Sequence, residues 1–178
     1  RVLFRSGHKP TDEQTSAIRL FARFLAHRNP HSLMLMRGSA GTGKSSLAGA
    51  FVQALALLGQ KTVLMAPTGR AAKVFSLNSG GHAAFTIHRK IYRLRAFAGV
   101  GGEYNLNDNL HADTLFMVDE ASMVANGGGA EAAFGSGRLL DDLVRYVYAG
   151  RNCRLMLIGD QAQLPPVGEE QSPEIGRA

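Results

Sequence analysis

The stretch Gly38-Ser39-Ala40-Gly41-Thr42-Gly43-Lys44-Ser45-Ser46 constrains this chain more than any other. It fits G-x-x-x-x-G-K-[ST], and its surroundings are those the pattern needs. Ser32 to Arg37 before it is short, apolar and strand-like, and Leu47 to Leu58 after it is an Ala/Leu-rich helical run. A strand, a glycine-rich turn and a helix N-terminus aim several backbone N–H groups at one point. That point also carries the positive end of the helix dipole, so it attracts phosphate. Gly38, Gly41 and Gly43 let the backbone curl close to an anion, with Thr42 and Ser46 in the same cradle. Lys44 would reach the β- and γ-phosphates, and the Ser45 hydroxyl would ligate Mg²⁺. A Gly/Ser-rich linker can match by accident, and 21 glycines in 178 residues make that easier. The flanking strand and helix decide for a nucleotide site.

Three further apolar runs end in polar residues. Lys61 to Ala66 leads into Pro67-Thr68-Gly69-Arg70, at the strand end where parallel sheets bind ligands. Thr114 to Val118 ends in Asp119-Glu120, the form of a Walker B strand. On this reading Asp119 holds Mg²⁺, directly or through water, and Glu120 orients and deprotonates the attacking water. A strand ending in solvated acids is the competing reading. It loses because a phosphate loop needs its metal held, and a strand neighbouring the loop's own is the best place. Leu155 to Ile158 runs into Gly159 to Gly168, where Gln163 either contacts a γ-phosphate and the hydrolytic water or is merely solvated beside Pro165-Pro166.

Between these strands lie helical patterns at about 71–77, 86–92 and 138–148, with no internal repeat. The alternation predicts an α/β fold with a parallel sheet covered by helices. Residues 1–10 read as a flexible entry and 126–137 as a mobile glycine-rich loop. A first helix runs from about Thr11 to His27, where Thr11 and Gln14 fit a capping box. The Gln14 amide also offers a donor and an acceptor to an adenine edge, although composition favours the cap. Residues 94–112, with glycines at their centre, read as a β-hairpin standing out from the core.

Composition excludes several classes. No run of about 18 apolar residues exists to span a membrane, and no apolar signal region opens the chain. Both ends read as cut from a longer chain. The single cysteine, Cys153, sits at an apolar run and suits a buried strand position and a reducing cytoplasm. His27 and His31 are four apart, but Pro30 breaks the helix that would align them, so a zinc site is rejected. The net charge of +6 suits a polyanion, with Arg70, Lys73, Arg89, Lys90, Arg93 and Arg95 the densest group.

Taken together, the motifs resemble the first motor domain of superfamily 1 DNA helicases of the RecD-like, 5′-to-3′ branch. Thr11 to Gln14 resembles the Q motif, Gly38 to Ser46 motif I, and Ala66 to Ala72 motif Ia. Thr86 to Arg89 resembles the next DNA-contacting motif, Val118 to Ser122 motif II, and Gly159 to Gly168 motif III. The resemblance covers about residues 11–170 in family order and implies a RecA-like, three-layer P-loop NTPase domain over 1–178. It implies that Gln14 reads adenine, that Lys44, Ser45, Asp119 and Glu120 serve Mg·ATP, and that Gln163 links the γ-phosphate to the DNA track. Thr68, Gly69 and Arg70, with Thr86 and His88, would touch the single-strand backbone. The 94–112 excursion sits where the family inserts a strand-separating pin.

Motifs IV to VI, with an arginine finger and the second RecA-like domain, do not occur in this sequence. Such a finger is worth ~10³–10⁵ in rate. The expectation is that residues 1–178 bind Mg·ATP but hydrolyse it slowly, while the parent chain is a DNA-stimulated ATPase. The alternatives are a small-molecule kinase or unrelated P-loop ATPase, and a non-catalytic nucleotide-binding module.

Overall fold

The computed structural model describes residues 10–27, 29, 31–39, 41–95, 103–124 and 135–160. Among these, seven strands and five α-helices follow in the order α1 (Asp12–Ala26), β1 (Leu33–Arg37), α2 (Lys44–Leu57), β2 (Lys61–Ala66), α3 (Gly69–Asn78), β3 (Ala84–Thr86), α4 (Ile87–Ile91), β4 (Tyr92–Arg95), β5 (Glu103–Leu106), β6 (Thr114–Val118), α5 (Leu139–Ala149) and β7 (Arg154–Gly159). Five strands form one parallel sheet in the order β1-β7-β6-β2-β3. Each apolar run expected to be a core strand is one.

Three features differ from the sequence reading. Ala84–Thr86 forms an edge strand where only helix 86–92 was expected, and α4 begins after it. Lys44, Ser45 and Ser46 are already inside α2, so the helix starts within the phosphate loop. The acids on β6 are not beside the loop's strand, because β7 lies between β1 and β6. Parallel pairing joins distant segments through crossovers, and local pattern carries no record of which crossover inserts where.

Alternation along each strand divides the core in two. Val63 and Met65, Phe116 and Val118, and Leu155 and Leu157 face α4 and α5. Leu64, Leu115 and Met117, and Met156 and Ile158 face α1, α2 and α3, with Phe51 and Phe75 fully buried there. A parallel sheet covered on both faces explains why these strands read as continuous apolar runs. The fold is therefore a three-layer α/β sandwich.

Outside this sheet, β4 pairs antiparallel with β5, Leu94 opposite Tyr104. The turn joining them, 96–102, lies outside the described residues. Below the hairpin, the Asp142 carboxylate accepts from the Tyr92 hydroxyl and the Ser136 N–H, both at 2.8 Å. The Gly135 N–H donates to the Tyr104 carbonyl at 2.8 Å, so hydrogen bonds centred on buried Asp142 and Tyr92 hold hairpin, turn and α5 together. Cys153 is buried as expected, but it lies just ahead of β7 rather than in a strand. No helix among the described residues is long and apolar enough to cross a membrane.

Close packing of α2 on α3 depends on Gly49. A Cβ there would overlap the backbone carbonyl of Asn78. Alanine gains about 0.5–1 kcal/mol over glycine within a helix, but overpacking typically costs about 1–3 kcal/mol. The packing effect should win. Gly49→Ala is expected to lower unfolding stability by roughly 1–2 kcal/mol in urea titration; an unchanged or raised midpoint would contradict this.

Candidate functional site

Four strand ends converge on the carboxyl edge of the sheet. At β1 the chain turns through Gly38 and Ser39 into the loop, and Gly43 enters α2 with φ of 81°, a left-handed conformation that glycine adopts without strain. Gly43 also leaves room for Gln14, whose Nε2 would lie 3.3 Å from a Cβ at that position. The Lys44 ammonium donates to the carbonyls of Gly38 and, at 2.7 Å, Ser39. The Thr42 hydroxyl donates to the same Ser39 carbonyl at 2.8 Å. Gly41, Ser45 and Ser46 line the same cavity as Gly43 and Lys44. Position 40 lies outside the described residues.

Opposite the loop stands Asp119, 5% exposed at the end of β6. Its carboxylate is stabilised by the nearby Ser45 hydroxyl, which lines the same cavity. It also accepts from the Glu120 N–H at 3.0 Å. Burial pushes this carboxyl above its ordinary value, and the Glu120 charge adds to the rise. The Glu120 N–H, the Ser45 hydroxyl and the Lys44 charge oppose it without overcoming it. Glu120 itself has φ of 55°, an uncommon left-handed backbone for a residue with a side chain.

The donor set suits Mg²⁺ bound with a nucleotide. Such a metal takes one or two protein oxygens and fills its octahedron with water and phosphate oxygens. Ser45 and Asp119, which line one cavity, are two oxygens of that kind. No group of three or more His, Cys, Asp or Glu that could hold a metal occurs among the described residues.

Gln14 does act as a cap. The Thr11 hydroxyl accepts from the Gln14 N–H at 3.2 Å, and the Gln14 Oε1 accepts from the Thr11 N–H at 3.1 Å. Its amide nitrogen is thereby turned toward Gly43. A cavity of about 700 Å³ bordered by Gln14, Ala17, Leu20, Arg37, Gly38 and Lys44 lies along this side of the loop. The helix carrying Gln14 is held along its C-terminal half. Phe21 stacks on Phe51 of α2 at 4.0 Å between ring centres. The Arg154 guanidinium donates to the last-turn carbonyls of Phe24 and Leu25 at 2.8 and 2.6 Å.

The residues expected at the nucleic-acid face divide. Thr68 caps α3, its hydroxyl accepting from the Ala71 N–H at 3.2 Å, and Gly69 opens that helix. Thr68 and Arg70 line a groove of about 460 Å³ together with Ser45, Asp119, Glu120 and Met123. Thr86 caps α4 in the same way, accepting from Arg89, and the pairing of Ala66 with Thr86 sets the two caps side by side. His88 is half-buried on α4 against Tyr92, and desolvation lowers its pKa. Gln163 lies outside the described residues, with everything after Asp160.

Asp160 and Ser122 were not singled out from sequence. Asp160, 3% exposed at the end of β7, lines the cavity with Lys44, Ser45, Asp119 and Glu120. The signal was present, since an apolar run ending in an acid is the same cue that marked Asp119.

The family model of the AAA domain matches residues 10–173. The chain belongs to that AAA domain family. It is 34% identical over 137 residues to the ATP-dependent RecD2 DNA helicase of Deinococcus radiodurans, a match covering 77% of this chain and 16% of that one. It is 31% identical over 178 aligned positions to the ATP-dependent DNA helicase PIF7 of Trypanosoma brucei brucei, covering 89% and 15%. Among solved structures it resembles Bacteroides Pif1 bound to ssDNA, with a TM-score of 0.55 and 22% identity over 91% of this chain and 34% of that one. At that identity the likeness speaks for the fold. The chain spans about a sixth of the length of these curated relatives. Its motif order and relatives mark it as a superfamily 1 RecD-like motor domain of the P-loop class.

Because burial raises the Asp119 carboxyl, the folded chain binds that proton more tightly than the unfolded chain does. Stability therefore falls as pH rises from the ordinary value of 3.8 through the folded-state value, and stays lowered above it. Asp119→Asn should unfold at higher urea than the parent at pH 7, with the gap closing below pH 3.8. A less stable Asn variant at pH 7 would refute the burial argument.

Proposed function

We propose that this domain binds Mg·ATP and is the motor of an ATP-dependent DNA helicase, coupling hydrolysis to movement along single-stranded DNA. The observation that carries the reading is one cavity at the sheet's carboxyl edge lined by Gly41, Gly43, Lys44, Ser45, Asp119 and Glu120, with the Lys44 ammonium threaded back to the Gly38 and Ser39 carbonyls. It unites a phosphate cradle, two metal-type oxygens and a candidate base at one sheet edge. The relatives named as ATP-dependent DNA helicases support the rest.

In this mechanism the loop N–H groups and Lys44 bind the β- and γ-phosphates, the ammonium exchanging its carbonyl partners for phosphate oxygens. Mg²⁺ would be held by Ser45 and Asp119, and when bound it neutralises charge on the phosphates. Glu120 accepts a proton from the attacking water as the water oxygen bonds to the γ-phosphorus and the bond to the β-phosphate oxygen breaks. Gln14 presents its amide N–H to an acceptor on the adenine. Gln163 follows β7 and would join the γ-phosphate to the DNA track.

DNA would lie across the N-termini of α3 and α4. Thr68 and Thr86 accept with their hydroxyl oxygens and retain O–H groups for phosphate, beside Gly69, Arg70 and His88. Contacts of this type carry no base information, so binding would be sequence-tolerant and weaken with salt. A second RecA-like domain of the same protein would supply an arginine finger, and the β4–β5 hairpin occupies the place of the family's pin. With no membrane-spanning helix among the described residues, a cytoplasmic setting fits this work.

The test is ATP hydrolysis by the full-length protein with and without single-stranded DNA. DNA is expected to stimulate the rate. Lys44→Ala should abolish hydrolysis, and Glu120→Gln should lower kcat by roughly 10²-fold or more while Mg·ATP still binds. Absence of stimulation would point to an unrelated phosphate-loop ATPase, and hydrolysis by Glu120→Gln at the parent rate would remove Glu120 as the base.

A further inference from the structure

Glu120 stands beyond the end of β6, so the strand ladder does not hold it. The chain turns there through left-handed Glu120 into one 3-10 turn, Ala121–Met123. Within that turn the Met123 N–H donates to the Glu120 carbonyl at 3.0 Å and the Val124 N–H to the Ala121 carbonyl at 3.1 Å. The turn is thus a small rigid unit. A left-handed residue with a Cβ costs roughly 1–2 kcal/mol and persists only when its surroundings hold it.

What lies against the turn is the exit of β7. The Asp160 N–H donates to the Ser122 hydroxyl oxygen at 3.3 Å. Gly159 packs on the same residue, where a Cβ would lie 3.1 Å from the Ser122 nitrogen and 3.6 Å from its hydroxyl oxygen. A Cβ at position 159 would fit only if the Ser122 backbone gave way by a few tenths of an ångström. Asp160, buried, borders the nucleotide cavity along with Glu120.

We propose that Ser122 is a positioning residue. Its hydroxyl, closed on the Asp160 N–H against Gly159, fixes the turn that aims Glu120 over the nucleotide cavity, and so sets the hydrolytic step rather than ATP affinity. The proposal rests on Glu120 as the base. A reacting group misplaced by about 1 Å can lose a hundredfold in rate without loss of binding.

Steady-state ATP hydrolysis by the full-length protein, with saturating single-stranded DNA, tests this alongside thermal unfolding. Ser122→Ala should lower kcat roughly tenfold or more, with KM for Mg·ATP within about twofold and the melting temperature nearly unchanged. Ser122→Thr, which keeps the hydroxyl, should recover most of the rate. Gly159→Ala should reproduce the kcat loss by pushing the turn away, and the double variant should lose little more than the worse single, because both break one contact. A Ser122→Ala enzyme at full kcat would overturn the proposal. So would a joint fall in kcat, ATP affinity and melting temperature, which is what a merely structural role gives. Glu120→Gln hydrolysing at the parent rate is a separate failure, of the base itself, and takes this proposal with it.

Discussion

A parallel strand buried on both faces has only its two ends left for chemistry, and the whole molecule follows from that constraint. Alternate side chains of β2, β6 and β7 are spent on opposite core layers. Polar residues are therefore expelled to the loops after each strand, and the parallel arrangement gathers those loops on one edge. Lys44 and Ser45 follow β1, Thr68 follows β2, Asp119 follows β6 and Asp160 follows β7. Residues more than a hundred positions apart meet because their strands stop at the same level.

Much of this was legible in the chain, for a physical reason. Runs such as Leu115 to Val118 and Leu155 to Ile158 are apolar at every position because both sides of the strand are covered. The phosphate loop was legible because its glycines and lysine serve local geometry. What was not legible depended on distant partners. Ala84–Thr86 is three half-buried residues at the sheet's edge, too short to show a period. The insertion of β7 between β1 and β6 is a property of crossovers. It is also what draws Asp160 into the nucleotide cavity and brings Ser122 against Gly159. Reading past Asp160 toward Gln163 missed this contact, since nothing local to either segment announces the other.

Asp119 is nearly inaccessible to water, and its desolvation outweighs the Glu120 N–H, the Ser45 hydroxyl and a nearby ammonium. A carboxylate that is costly to leave charged gains from a bound cation, which restores the lost solvation. The same burial that works against the folded chain at neutral pH would thus favour occupancy of the proposed metal position.

The cap on α1 has a consequence for nucleobase choice. A backbone N–H can be satisfied only by an acceptor, so Thr11 dictates which end of the Gln14 amide is oxygen. The nitrogen is left pointing along the loop, beside Gly43. A heterocycle approaching from that side encounters a proton before it encounters a lone pair. On the proposed reading, a purine ring nitrogen with a free lone pair would meet that N–H as an acceptor.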